Sequence, residues 1–280
     1  MLDIEIFDVD YGFCSLINTA DHHGILIDFG YSDRKKFNPS QHLLEQHCTS
    51  LDCLIIPSYG EEHLAGLEDL LRQTLVNGLA IHFIVSNPSL DEHRFDALRV
   101  ANQKFSNGLI NTDSYQDVRN NQTIKIHGIN FSFFWNQSSS CQNVHDLSLV
   151  TFMSYRDIHV IFPGDLEVGG WQLLLKDNQF RDCLRRVNIF VAPNHGREES
   201  YCSDIFDYCR PELIIISNEL NQRVSPKMFS QYQKHAKGSP YQVCDRKILT
   251  TYDDGNITIS KCLDSLRHVR TQYETFQKQR

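Results

Sequence analysis

The sequence predicts an α/β protein (α+β in some classifications), built as a four-layer αββα sandwich of two mixed β-sheets flanked by helices. Three observations support this architecture. The chain begins with short alternating segments typical of antiparallel strands, and it continues as alternating helices and strands. The same change occurs again in the second half. No linker rich in Pro, Gly or Ser separates the halves, so two packed sheets fit better than two separate domains.

The first half opens with three segments that alternate or run apolar between turn residues, which predicts consecutive antiparallel strands. These strands are 2–9, 13–20 and 24–28. Helices and strands then alternate, with helices at 39–48, 63–74 and 89–104 and strands at 51–56 and 79–85. Residues 106–121 are polar and irregular, which favours a loop.

The second half repeats the pattern with a run of strands followed by alternation. The predicted strands are 123–129, 130–135, 147–155, 159–162, 188–192 and 213–217. The predicted helices are 170–175, 180–185, 201–209 and 226–235. Two short strands at 247–252 and 257–261 flank the sequence DDGN, which is typical of a β-hairpin turn.

The last 18 residues, 263–280, are predicted as an amphipathic helix after a single domain that covers 1–262. Leu263, Leu266, Val269, Tyr273 and Phe276 recur at spacings of three and four, which makes an apolar stripe opposite a basic face. Two interpretations stay open. The helix packs on its own domain, or it docks on a partner subunit, because a terminal helix needs a surface to stay ordered.

Composition and charge narrow the classes of protein that fit. The 280 residues carry a net charge of −8, which disfavours non-specific binding to nucleic acid. No apolar run reaches the roughly 18–20 residues of a membrane span, and the acidic, alternating N-terminus predicts a strand instead of a signal peptide. Nine cysteines, an odd number without a C-x-x-C pair, favour reduced thiols and a cytoplasmic location.

Two polar segments are candidates for a site. LIIPSYGEEHLAGL, at 54–67, places acidic residues and a histidine where a strand ends and a helix begins, which is typical of a metal or phosphate site. ADHHG, at 20–24, contains Asp21, His22 and His23 in an order known from phosphoesterases. Its place at a hairpin turn favours an exposed loop, so we do not assign it to a metal.

Six segments occur in an order and at distances that resemble one family. They are FDVDYGFCSLI, GILIDFG, PSYGEEHLAGL, LSLVTFMSYRDIHVIFPGDL, NIFVAPNHG and RPELIIISNELNQRVSP. Together they are similar to the metallo-β-lactamase fold, and in particular to the hydrolase domain of the ComEC/Rec2 competence proteins. The resemblance covers about residues 3–262 and implies a hydrolase whose metal ions activate water.

The resemblance implies that the first of two metal positions has lost its ligands. Ser58 and Gly60 stand where the family has the first two histidines of its metal loop. Glycine has no side chain, and a serine hydroxyl is a poor ligand. The third ligand of that metal falls near 143–146, where His145 lies close to the expected register.

The second metal position keeps most of its ligands by the same resemblance. Glu62 stands in place of an aspartate, His63 matches the final histidine of the loop, and Asp165 matches the aspartate that bridges the two metals. His195 matches one histidine of an H-H-G motif whose other histidine is replaced by asparagine.

Two further positions complete the comparison of motifs. Ser225 replaces a late histidine associated with substrate handling. Asp28 corresponds to the residue that orients the metal loop, a role that needs no metal.

These positions predict a half-lost centre with one Zn or Mn held by Glu62, His63, Asp165 and His195. A site without metal is the alternative, in which Asp165 caps a helix and His195 bonds within a buried loop. The expected function is a non-catalytic or weakly active subunit that binds a partner protein in a multi-protein system. The alternative is a single-metal phosphodiesterase, with nucleic acid as the substrate that the resemblance implies and with Asp165 and His63 as its catalytic residues. A module that senses an anion without cleaving it is a third possibility. No membrane partner is expected.

Overall fold

The structure, a computed structural model, divides the chain into two compact units. It describes residues 1–10, 12–19, 24–31, 37–58, 60, 63, 66–89, 120, 122–141, 143–218, 223–238, 246–261 and 267–273. Unit 1 consists of Met1–Asp117 and Gly255–Arg280, and unit 2 is Val118–Asp254. The predicted single domain 1–262 stays a prediction, although unit 1 includes described residues beyond that boundary.

Strands and helices are numbered in chain order. The strands are β1 (Leu2–Ile6), β2 (Ser15–Thr19), β3 (Gly24–Ile27), β4 (Ser50–Ile55), β5 (Ala80–Ile81), β6 (Ile84–Val85), β7 (Thr123–Ile126), β8 (Ile129–Phe134), β9 (Val150–Tyr155), β10 (Ile158–Phe162), β11 (Ile189–Val191), β12 (Leu213–Ile216), β13 (Ile248–Thr250), β14 (Ile257–Lys261) and β15 (His268–Thr271). The α-helices with defined bounds are α1 (Pro39–Glu45), α2 (Leu67–Val76), α3 (Val168–Leu174), α4 (Asn178–Leu184), α5 (Pro226–His235) and α6 (Thr251–Asp254).

Unit 1 contains a mixed sheet in the order β15-β14-β1-β2-β3-β4-β5, and β6 also pairs with β4. Neighbours from β15 to β3 run antiparallel, whereas β4 runs parallel to β3, β5 and β6. Ile4 lies opposite both Ile17 and Ile259, so the apolar residues of three strands share one buried face. Helices α1 and α2 contribute Leu43 and Leu70 to the apolar core of this unit.

Unit 2 contains a second mixed sheet in the order β13-β12-β11-β10-β9-β8-β7. Strands β7 to β10 run antiparallel, and β10 to β13 run parallel. Aromatic rings fill its core: Phe134, Phe152 and Phe180 meet edge to face, with ring centroids 5.2–5.5 Å apart. Trp171 of α3 packs beside Phe180. The predicted α/β class with two mixed sheets flanked by helices is therefore confirmed.

Local sequence signals explain where several helices begin. The Asn38 side chain accepts hydrogen bonds from the N–H groups of Ser40 and Gln41, with Pro39 at the first helical position of α1. Asp177 caps α4 in the same way. Most predicted elements agree with the structure to within a few residues. Strand 79–85 consists of the two short strands β5 and β6, and the 201–209 helix is a 3-10 turn at Ser203–Asp207. Helix 89–104 and the loop 106–121 lie almost wholly outside the described residues.

The predicted hairpin at 247–261 is wrong. Strand β13 pairs parallel with β12 in the sheet of unit 2, whereas β14 pairs antiparallel with β1 in the sheet of unit 1. Residues Thr251–Asp254 form the short helix α6, and the Asp254 carboxylate accepts hydrogen bonds from the Thr250 N–H and from Arg246. Long-range pairing therefore outweighs the local turn signal of DDGN.

The predicted C-terminal helix is wrong where the structure describes it. His268–Thr271 is strand β15, and it pairs antiparallel with β14, so that Val269 lies opposite Ile259. The β-branched residues Val269 and Thr271 suit a strand. Residues 262–266 and 274–280 lie outside the described part of the chain, so the rest of the predicted helix is not tested.

The structure also describes the helices and the cysteines on which two further expectations depend. Among the described residues, no helix has the length and apolar character needed to cross a membrane. The seven cysteines that the structure describes are buried free thiols, as expected for small apolar side chains. The cytoplasmic location stays a prediction.

We expect Phe180→Ala to lower the free energy of unfolding by about 3–5 kcal/mol, because the ring is fully buried and contacts three other rings. Urea unfolding followed by circular dichroism measures the change. The control is Val76→Ala, at a side chain that is 72% exposed, where we expect a change within about 0.5 kcal/mol. Equal stability of the two variants would show that the aromatic core is wrong.

Candidate metal site

Asp28 lies at the end of β3 in unit 1, and its surroundings hold it in one orientation. The residue has a left-handed backbone with φ of 64°. Its N–H donates to the Ile55 carbonyl at 2.9 Å, and its Oδ1 accepts from the Phe29 N–H at 2.9 Å. The side chain is fully buried. Burial raises the pKa of the nearby Cys14 thiol, and the negative charge of Asp28 adds to that shift.

The second oxygen of Asp28 contacts His63. His63 Nδ1 and Asp28 Oδ2 form a short, buried contact between two side chains that are each about 1% exposed. A carboxylate accepts, so Nδ1 carries the proton and Nε2 keeps its lone pair, which is the form that ligates metal. Gly66 supports this arrangement because its N–H donates to the Phe29 carbonyl, and a Cβ there would lie 2.4 Å from that oxygen.

The remaining positions of the metal loop offer fewer ligands. Ser58 is buried and Gly60 is partly exposed, but neither residue supplies an imidazole or a carboxylate. Glu62, which the sequence places as a ligand beside His63, lies outside the described residues and stays a prediction. Within the part of the loop that the structure describes, the metal donor is therefore His63.

In unit 2, Asp165 follows β10 in a turn that begins with Gly164, whose φ is 60°. The Asp165 N–H donates to the Ser148 hydroxyl at 3.1 Å, and the side chain is nearly fully buried. The N-cap position of α3 is Glu167, so Asp165 does not cap that helix. Asp165 Oδ2 lies 3.7 Å from Nδ1 of His145. The residue that the sequence placed near the lost metal position is thus a neighbour of Asp165.

His195 lies in a strained turn after β11. Asn194, His195 and Gly196 all have left-handed backbones, with φ of 44°, 56° and 77°, and each non-glycine residue in this region costs about 1 kcal/mol. His195 Nδ1 lies 3.1 Å from the Ser217 carbonyl oxygen. Since a carbonyl only accepts, the proton is on Nδ1 and Nε2 has the lone pair. A ring nitrogen of His195 lies within 4.8 Å of an Asp165 carboxylate oxygen.

A cleft of about 510 Å³ in unit 2 includes His145 and His195 in its lining. Ser225 also lines the cleft, but its Oγ accepts from the Met228 N–H and so caps α5. Five charged residues of this lining were not predicted from the sequence: Glu167, Arg197, Glu198, Glu199 and Arg223. Burial raises the pKa of Glu167, and the negative charges of Asp146 and Glu199 act in the same direction. Arg223 lies within the segment RPELIIISNELNQRVSP, but the resemblance gives it no role, and the other four residues lie outside the six segments.

Each unit offers donors of the kind that a divalent ion accepts. His63 in unit 1 and the Asp165–His195 pair in unit 2 offer imidazole nitrogen and carboxylate oxygen, the donors that Zn²⁺ and Mn²⁺ accept. In each histidine an oxygen acceptor fixes the proton on Nδ1. Ser58 and Gly60, where the resemblance expects two further histidines, offer neither kind of donor.

The comparisons with known proteins bear on the fold of the chain. No protein-family model matches the chain. ComE operon protein 3 of Bacillus subtilis (strain 168) is 24% identical over 254 residues, which are 84% of this chain and 31% of that protein. The chain therefore spans about a third of the length of this curated relative.

Two solved structures are similar over nearly the whole chain. The metallo-β-lactamase fold protein YhfI from Bacillus subtilis has a TM-score of 0.57 at 12% identity, covering 92% of this chain and 99% of that one. A diphosphatase of the PhnP family has a TM-score of 0.53 at 12% identity, covering 94% and 100%. The predicted metallo-β-lactamase fold is confirmed, and the ComE operon relative supports the ComEC-like link.

We expect Asp28→Ala to lower the free energy of unfolding by about 2–4 kcal/mol, because the buried Phe29 N–H and the His63 ring lose their acceptor. Asp28→Asn keeps an acceptor oxygen and loses less. Asp182→Ala, at a carboxylate that is 68% exposed, is the matched control. Chemical denaturation measures all three, and equal losses in the Asp28→Ala and Asp182→Ala variants would contradict the role of Asp28.

Proposed function

We propose that this chain binds one divalent metal ion and recognises phosphodiesters, which it hydrolyses weakly or not at all. The observation that carries the proposal is the contrast within the site. Asp28 and the Ser217 carbonyl orient His63 and His195, whereas the positions of two further imidazoles are Ser58 and Gly60. The predicted ligand set of Glu62, His63, Asp165 and His195 is part of this proposal.

The residues of the chain divide the work as follows. His63, Asp165 and His195 hold the ion, and Asp28 fixes the ring of His63. A divalent ion, when bound, supplies a Lewis acid that acidifies water and polarises a phosphoryl oxygen. Efficient phosphodiester cleavage uses a second ion to stabilise both the attacking and the leaving oxygens. The missing donors at Ser58 and Gly60 therefore favour binding over turnover.

Phosphodiesters are the ligand class that the resemblance favours, and the comparisons add a neighbour that acts on another phosphoryl bond. The neighbour of the PhnP family is a diphosphatase, and the ComEC-like link points to competence proteins, whose hydrolase domain acts on nucleic acid by the resemblance described above. The net charge of −8 opposes long-range attraction of nucleic acid. Recognition in the proposal therefore depends on local contacts in the site.

A partner-binding subunit without catalysis is the second candidate. The loss of ligands at Ser58 and Gly60 favours it, as does Ser225, whose hydroxyl caps α5 instead of facing a substrate as a histidine would. The partner in this case is another protein. The C-terminal helix that supported docking is a strand over His268–Thr271, so the interaction surface stays unassigned.

We expect purified protein, loaded with Zn²⁺ or Mn²⁺ and dialysed, to retain about one ion per chain by mass spectrometry. His63→Ala, Asp165→Ala and His195→Ala each remove a donor and should abolish this retention. His47→Ala and His127→Ala remove exposed histidines from units 1 and 2 and serve as matched controls. No retained metal in the wild type, or full retention in all three site variants, would refute the proposal.

We expect the double variant Ser58→His/Gly60→His to raise the metal content towards about two ions per chain, because it restores the two imidazoles of the lost position. Hydrolysis of bis(4-nitrophenyl) phosphate should rise at least about tenfold, since two ions stabilise both oxygens. Ser58→Ala/Gly60→Ala is the control for altered packing. A folded double-histidine variant with one ion and an unchanged rate would contradict the half-lost centre.

A further inference from the structure

The cleft of unit 2 contains charged side chains that the metal does not need. Two of them are arginines, Arg197 and Arg223, and three are the carboxylates of Glu167, Glu198 and Glu199. With a volume of about 510 Å³ the cleft lies in the range of small-ligand pockets. The arginines therefore offer a place for an anionic group beside the ligand His195, which lines the same cleft.

Arg223 is held in place by an aromatic neighbour. Its guanidinium carbon lies 4.0 Å from the centroid of the Tyr252 ring, and its Nη2 donates to the Tyr252 hydroxyl. Stacking on a ring restrains a long side chain and leaves the remaining N–H groups of the planar fork to bind an oxyanion. Because the side chain is already ordered, binding loses less conformational entropy.

The backbone places Arg223 next to a residue that packs on the turn formed by Asn194, His195 and Gly196. Val224 packs on that turn, since its Cγ2 lies 3.4 Å from the point where a Cβ of Gly196 would be. Ser225, the next residue, stands where the family has its substrate-handling histidine, and its hydroxyl caps α5. By the resemblance, Ser225 therefore replaces an imidazole, and Arg223 supplies a guanidinium two residues before it.

The carboxylates of the cleft limit what the arginine binds. Glu198 pairs with Lys227, and Glu167 accepts a hydrogen bond from the Asn143 amide at 2.5 Å. Glu199 and Asp165 add negative charge. These carboxylates oppose an anion beside Arg223, so the charge of a bound divalent ion would strengthen phosphate binding in this cleft.

We propose that Arg223 contacts a phosphate oxygen of the phosphodiester ligand and that Tyr252 positions its guanidinium. The inference rests on the proposed function, because it assigns a binding residue for the same ligand class. It also makes binding depend on metal, because the carboxylates disfavour an anion in the empty cleft.

The test measures binding of a fluorescein-labelled single-stranded oligothymidylate to Mn²⁺-loaded protein by fluorescence anisotropy. We expect Arg223→Ala to raise the Kd about tenfold or more, as loss of a charge-assisted contact does. The slope of log Kd against log salt should fall by roughly 0.7, the value for one phosphate contact on a single strand. A loss of packing alone would not change that slope.

The matched control is Arg156→Ala. Arg156 also lies over a tyrosine ring, 5.6 Å from the centroid of Tyr155, but it lies in the turn between β9 and β10, at the end of β10 opposite Asp165. This variant changes the charge equally and should bind like the wild type. Arg223→Lys keeps the charge but loses the planar guanidinium. Its Kd should therefore lie between those of Arg223→Ala and Arg156→Ala. Tyr252→Leu should weaken binding through Arg223, with no additional effect in an Arg223→Ala background.

The outcomes separate the inference from the proposed function. If the metal-loaded wild type does not bind the oligonucleotide, both fall. If the wild type binds but Arg223→Ala and Arg156→Ala have the same Kd and salt slope, the inference alone is overturned. Chelation with EDTA should remove wild-type binding, and unchanged binding without metal would overturn the cooperation between guanidinium and ion.

Discussion

The buried contact between Asp28 and His63 is the constraint on which the site in unit 1 depends. A carboxylate removed from water needs donors for its oxygens, and here they are the Phe29 N–H and the imidazole. The left-handed backbone of Asp28 directs its N–H to Ile55 and so joins the end of β3 to β4. The contact that stabilises this edge of the sheet also fixes the proton of His63. Stability and ligand orientation therefore have one source.

In unit 2, a strained turn orients His195, just as the contact with Asp28 orients His63 in unit 1. Two non-glycine residues in succession adopt left-handed backbones, at a combined cost of about 2 kcal/mol. The Gly164 carbonyl accepts from the Asn194 N–H, and the Ser217 carbonyl accepts from the ring of His195. A structural role for His195 would not require such strain, because a turn with glycine would satisfy the same backbone groups. Strain that orients an imidazole beside a carboxylate is typical of a functional site.

Sequence patterns predicted most elements because those depend on local periodicity, as in Leu2–Ile6 and its neighbours. The predictions failed where the structure of a segment depends on strands that are distant in the sequence. DDGN favours a hairpin, but β13 and β14 join different sheets, and the stripe through Val269 suits a helix until Ile259 provides a strand partner. The resemblance indicated His63, Asp165 and His195. It did not indicate Arg223, because its contact with Tyr252 joins residues 29 positions apart.

The residues at the positions where the resemblance expects histidines contribute differently to stability. Ser225 has acquired a use, because its hydroxyl satisfies a free N–H at the start of α5, a cap worth about 1 kcal/mol. A histidine there would forgo that cap. Gly60 gains nothing comparable, since its carbonyl accepts from the His63 N–H whatever side chain the residue carries. Stability therefore does not explain why position 60 is a glycine. The proposed function gives a reason of another kind, because a site that binds a phosphodiester through one ion and a guanidinium keeps its ligand longer when cleavage is slow.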